Sequence, residues 1–231
     1  MPARLRPTNS VAAEAILVGD PGRALLLAQE LLEQPKMSNH ARGLWGYTGM
    51  TATGLPDTAA GRALTIQSTG MGGPSAALVL ADLAELGVRR AIRIGTGTAL
   101  APELRAGELL AVAEAHTWSG GGGGEPVLPD AVLGAGLAGR LGRTAAVASL
   151  DVFHGGGAPA PVEAGDVADM QTATLFGRAR DLGVSLAAVL IVAEEARGGQ
   201  LSEDELAAAA KHAGRVAASL LYLDSNPQVE G

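Results

Sequence analysis

The sequence predicts an α/β fold, a central mixed β-sheet flanked by helices, and three observations predict it. Strand-like and helix-like stretches alternate along the chain with no shift of composition that would separate two cores, so residues 1–231 read as one domain. Hydrophobic residues make up 47% of the chain and aromatic ones only 3%. A core built from Ala, Val, Leu and Ile is what sheets covered by helices use. Residues 63–98 then read as a complete crossover unit: strand ALTIQS, turn TGMGGPS, helix AALVLADLAELG, and strand VRRAIRI running into the glycine turn GTGT. Leu64 and Ile66 alternate with polar residues, as Ile92 and Ile94 do around Arg93, so each strand has an apolar face. Residues 75–86 are mostly aliphatic, with Asp82 and Glu85 three apart and Gly87 at the stop. Parallel strands joined this way are right-handed, and both glycine turns open at the carboxyl edge of the sheet, where such proteins bind ligands.

The other elements follow in order. Residues 15–18 form a short buried strand leading to Gly19-Asp20-Pro21-Gly22-Arg23 and a Leu-rich helix over 24–33. Asp20 serves as N-cap, Pro21 as first helical residue, and Pro35 bars continuation. Residues 38–49 are irregular, with Trp45 and Tyr47 as alternate residues of a strand. Residues 107–113 and 144–149 read as strands, and the glycine run 120–124 as a flexible loop. A helix pattern spans 166–182, with Asp169, Met170 and Gln171 near its start and Gly183 at its end. Residues 186–192 form the last buried strand, with Glu194 and Glu195 just beyond it. Ser202 and Glu205 make a capping box that opens a helix over 204–223.

Composition narrows function. A net charge of −7 opposes binding to nucleic acid or to an anionic membrane surface. The absence of cysteine excludes disulfides, thiolate catalysis and zinc–thiolate sites. The start MPARLRPTNS has no apolar core and does not read as a signal peptide, and the apolar run 186–193 is far short of a membrane span. The expectation is a soluble, cytoplasmic protein.

The arginines point further. Arg23, in a helix first turn, opposes the helix dipole unless an anion sits there; it is either a solvated cation or an anion ligand. Arg42 lies in a loop and Arg93 in a strand near its carboxyl end. Guanidiniums and glycine turns whose N–H groups approach closely are what a small oxyanion pocket needs. No Walker motif is present, and Gly95-Thr96-Gly97 is only a fragment of a dinucleotide fingerprint, which opposes a nucleotide cofactor.

Six stretches in this order, VGDPGR, ARGLWGYTG, STGMGGPS, RIGTGTAL, DVFH and ADMQTATL, resemble the family of purine nucleoside phosphorylases and uridine phosphorylases, hexameric type. The resemblance implies reversible phosphorolysis of a nucleoside to free base and pentose 1-phosphate. Inorganic phosphate is then the co-substrate, with no metal and no other cofactor. By position, Gly19, Arg23, Arg93 and Thr96 match phosphate ligands, and Arg42 matches an arginine lent to a neighbouring subunit. Met71, Met170 and Gln171 fall at the ribose, and Phe153, Gly97 and Thr98 at the base. Arg93 and Glu194 fall at the catalytic positions, and the assembly implied is homodimer-based, up to a hexamer.

Departures from the pattern leave rival readings. Gln171 stands where the family has a glutamate that grips the ribose hydroxyls, and Glu194 follows Ala193 where the purine branch has an aspartate after a serine. Glu194 is either the acid that protonates the leaving base or, with Glu195, a solvated pair at a strand end. The short loop after His154 leaves no room for the insertion with which the pyrimidine branch reads uracil, which favours a purine over uridine. A nucleosidase using water, which needs no anion clamp, and a non-catalytic nucleoside or phosphate binder are the alternatives.

Overall fold

A computed structural model describes residues 4–55, 60–118, 124–151 and 165–223. Among the described residues nine strands form one mixed sheet. The strands are β1 (Glu14–Val18), β2 (Leu32–Asn39), β3 (Gly46–Thr51), β4 (Ala63–Ser68), β5 (Arg90–Ala99), β6 (Leu109–Trp118), β7 (Thr144–Leu150), β8 (Val167–Asp169) and β9 (Ser185–Glu194). The helices are α1 (Pro21–Leu31), α2 (Gly72–Glu85), α3 (Ala131–Leu141), α4 (Thr172–Leu182) and α5 (Glu203–Leu221). The sheet order is β2-β3-β4-β1-β5-β8-β7-β6-β9, and β9 also pairs with β5, so the last five strands close on themselves.

Period-two alternation sorts the side chains into two layers. Ile16, Val18, Leu64, Ile66, Ile92 and Ile94 face α1, α3 and α5, whereas Ala15, Leu17, Ala91, Leu190 and Val192 face α2 and α4. Each fully buried Leu or Ile contributes about 1.5–3 kcal/mol, so this double-sided core holds the sheet between its helices. The crossover from β4 through α2 to β5 passes over β1, which pairs in parallel with both.

Several sequence expectations change. The GTGT stretch is not a turn: it continues β5, paired in parallel with β9 as far as Thr98. The helix expected over 166–182 begins as strand β8, and α4 starts only at Thr172, because Val167 and Ala168 pair with β7 and β5. The first helix ends at Leu31, and Pro35 lies in edge strand β2 beside a register break, where a residue without an N–H fits. Helix α3, unassigned from the sequence, is opened by Asp130, whose side chain accepts from the N–H groups of Val132 and Leu133, and closed by left-handed Gly142. The capping box at Ser202 and the left-handed Gly183 after α4 are as expected.

Candidate functional site

The site lies where β5 changes neighbours. Strand β1 pairs with β5 up to Ile94, and β8 takes the same edge from Thr98, so Gly95, Thr96 and Gly97 are paired by register only with β9. Into this gap run the chain leaving β1 at Gly19 and the turn leaving β4 at Gly70. A cavity of about 290 Å³ occupies it, lined by Gly19, by 70–72, by Arg93 and 96–98 of β5, by 168–171, and by Ala193 and Glu194. That volume is at the lower end for a small-molecule site.

Arg93 is the centre of the polar network and is only 4% exposed. Unpaired, so deeply buried a guanidinium would cost several kcal/mol. Asp169, at the end of β8, supplies the counter-charge, accepting from Arg93 Nη2 at 3.0 Å. Arg93 Nε donates to Thr172 Oγ1 at 3.2 Å and Nη1 to Gln171 Oε1 at 2.6 Å. Asp169 also accepts from Ser149 Oγ at 2.5 Å, from Thr172 Oγ1 at 2.6 Å and from the Thr172 N–H. The Arg93 side chain lies back over Gly95, two residues along the same face. A Cβ at Gly95 would come within 2.6 Å of Nη2, so the glycine makes room for the guanidinium.

Arg23 arrives from the first turn of α1, where Asp20 caps the helix by accepting the Arg23 N–H at 2.7 Å. Burial pulls the Arg23 guanidinium below its ordinary value, the Asp20 carboxylate works against this, and the charge of Arg93 adds to the lowering. Arg23 is not among the residues that line the cavity, but its charge and that of Arg93 act on each other, and an anion between them would turn that repulsion into attraction. Helix α2 begins at the same edge with Met71 as N-cap and no side-chain cap, so its dipole faces the cavity. Met71, 90% exposed, forms the rim.

Glu194 is partly buried and accepts from Thr98 Oγ1 at 3.1 Å. A register break between Gly97 and Thr98 brings those two residues opposite one another, so both line the cavity. Arg42 is not in the cavity lining. It lies exposed in the short turn Ala41–Gly43 with a left-handed φ of 59°, unusual for a residue with a side chain. Phe153 lies outside the described residues. Asp169, Ser149, Thr172 and Thr69 were given no role from the sequence. Asp169 carried no signal in the sequence, because residues 166–182 read as one helix and its place at the end of a buried strand depends on pairing with β5 and β7. Among the described residues no group of three or more His, Asp or Glu is arranged to hold a metal ion, and no helix is long and apolar enough to cross a membrane.

A family model described as the phosphorylase superfamily matches residues 14–223. The DeoD-type purine nucleoside phosphorylase of Alkaliphilus metalliredigens is 30% identical over 215 residues, covering 85% of this chain and 89% of that one. Those of Clostridium perfringens (strain SM101) and Caldanaerobacter subterraneus are 34% identical over 110 residues, 47% of this chain. In these two matches the chain spans only 43% and 44% of the relative's length. Among solved structures, purine nucleoside phosphorylase from Toxoplasma gondii in complex with immucillin-H superposes with a TM-score of 0.78 at 21% identity, covering 92% of this chain and 91% of that one. At that identity the likeness speaks to the fold.

Proposed function

This chain belongs to the phosphorylase superfamily, and from that premise we propose that it is a cytoplasmic nucleoside phosphorylase, purine preferred, acting as one domain within a homodimer-based oligomer. The observation that carries the reading is the glycine-walled cavity lined by the buried Arg93, joined by the repulsion that Arg93 and Arg23, outside that lining, exert on each other. Phosphate is the anion that relieves it, cradled by Gly19 and Thr96, with Arg42 lent from a neighbouring subunit. The sugar lies against Met71, Met170 and Gln171, and the base against Gly97, Thr98 and Phe153.

In this scheme a phosphate oxygen bonds to C1′ as the C1′–N bond breaks and its electron pair leaves with the base. Glu194, when protonated, donates the proton the base takes up, and returns to the carboxylate. Phosphate held between guanidiniums is aimed at C1′ and faces the positive charge that develops on the sugar. The residues named supply orientation and charge, with no cofactor besides the co-substrate.

The test is a nucleoside panel, purine and pyrimidine, incubated with and without phosphate and assayed for free base. Phosphate-dependent release, fastest for purines, is expected. Release without phosphate would make the protein a nucleosidase. Binding without release would make it a non-catalytic relative, a reading favoured by Gln171, whose hydrogen bonds are made within the protein.

A further inference from the structure

The carboxamide of Gln171, only 4% exposed, joins three segments. Its Oε1 accepts from Arg93 Nη1 at 2.6 Å and lies 3.2 Å from Thr69 Oγ1. Its Nε2 donates to the carbonyls of Gly70 at 2.6 Å and Gly72 at 3.2 Å. A carboxamide nitrogen carries two N–H groups, and here both are engaged. The neighbours fix the orientation. With the amide turned over, Nε2 would face a guanidinium donor and Oε1 two carbonyl oxygens. A glutamate at 171 has the same difficulty, because a carboxylate has no proton to give either carbonyl.

We infer that Gln171 is a positioning residue for phosphate and not a hydrogen-bond partner of the sugar: its amide ties the 69–72 turn to Arg93 and so aims the guanidinium at the anion. It offers no free N–H to a sugar hydroxyl, and its oxygen is turned to Arg93 and Thr69. The enzyme therefore discriminates little at position 171 between ribonucleosides and 2′-deoxyribonucleosides. This inference rests on the phosphorolysis reading, yet its first half can be tested without any turnover.

The experiment measures kcat, KM for phosphate, and kcat/KM for a matched ribo- and 2′-deoxyribonucleoside in the wild type, Gln171→Ala and Gln171→Glu. Thermal stabilisation by inorganic phosphate is measured alongside. Gln171→Ala is expected to raise the phosphate KM about tenfold, the loss of a buried bond to a charged donor. Its ribo-to-deoxy ratio should stay within about twofold of the wild type, as for independent effects. Gln171→Glu should weaken phosphate as well. It should also shift the ratio toward the ribonucleoside, because a carboxylate repelled by two carbonyls becomes an acceptor facing the cavity. An unchanged phosphate KM with a loss confined to the ribonucleoside overturns the inference, as does a wild-type preference for ribonucleoside above about a hundredfold. If no nucleoside is cleaved, the phosphorolysis reading fails by itself. The clamp is then judged by phosphate stabilisation, and a response in Gln171→Ala or Gln171→Glu equal to the wild type would overturn it.

Discussion

Strand β5 has parallel neighbours on both sides from Arg90 to Ile94, and from Gly95 to Gly97 its register pairs it on one side alone. In the inner half Ala91, Ile92 and Ile94 fill both layers of the core. In the outer half glycine, threonine and the side chain of Arg93 replace them around a cavity. The backbone is extended throughout, so the difference lies in what fills the missing edge. A sheet that exchanges one neighbour for another leaves a hole, and polar groups can be held there only if they bond each other. Arg93 belongs to both halves: its Cα sits among paired strands and its guanidinium lies in the gap.

Arg93→Ala breaks the comparison most severely. Removing the cation leaves the buried Asp169 carboxylate without its counter-charge, which costs about 3–5 kcal/mol in comparable pairs. Adding Asp169→Asn should recover most of that stability in chemical denaturation and none of the phosphate-dependent turnover. If the double variant turned over normally, the guanidinium would have no part in the site.

Ile92→Ala addresses the inner half alone. Ile92 is fully buried on the face opposite Arg93, and the truncation should cost about 2–5 kcal/mol. Turnover per folded molecule, measured well below the melting temperature, should stay at the wild-type level. A matching loss of kcat/KM would mean that the two halves are not separable.

Gly97→Ala addresses the outer half with a smaller effect. The added Cβ would come within 2.8 Å of the Ala168 carbonyl and 2.6 Å of Val167 Cγ2. Because the first contact is backbone, β8 has to shift, an overpacking that costs about 1–3 kcal/mol. Asp169 shifts with it, so the phosphate KM should rise more than the stability falls. A stable variant with unaltered KM would show that β8 tolerates movement without disturbing Arg93.

These variants also mark what the residue order could reveal. The inner half was legible because Ile92 and Ile94 alternate with Arg93, and period-two burial needs no knowledge of partners. The outer half was misread as a turn because glycine is the usual mark of one. Its glycines have other causes, the Arg93 guanidinium over Gly95 and the Ala168 backbone against Gly97, and both depend on long-range contacts. Residues 167–169 were read as helix for a related reason: three residues carry too little periodicity to show that they pair with β5 and β7. Arg23, Gly19 and Thr96 could be named from the family motifs. The counter-charge Asp169 and the amide bonds of Gln171 could not, since nothing in the order of residues states which buried groups face one another.

The smallest effect is expected at the start of α5, the helix that covers Ile92 and Ile94. Ser202 and Glu205 form a reciprocal cap there, Ser202 N–H donating to Glu205 Oε2 at 2.9 Å and Ser202 Oγ at 2.7 Å. The Ser202 side chain and then its backbone N–H hold the Glu205 carboxyl below its ordinary value of 4.5. A carboxylate with a depressed folded-state pKa stabilises above its unfolded value, and that contribution is lost as pH falls through the depressed one. Ser202→Ala should therefore lower stability at pH 7 and leave the phosphate KM unaltered. The gap between wild type and variant in urea melts should narrow as pH falls below 4.5. A gap constant with pH would assign the cap to the hydroxyl's bond to the Glu205 N–H alone. A changed phosphate KM would instead tie the helix covering the inner half to the chemistry of the outer.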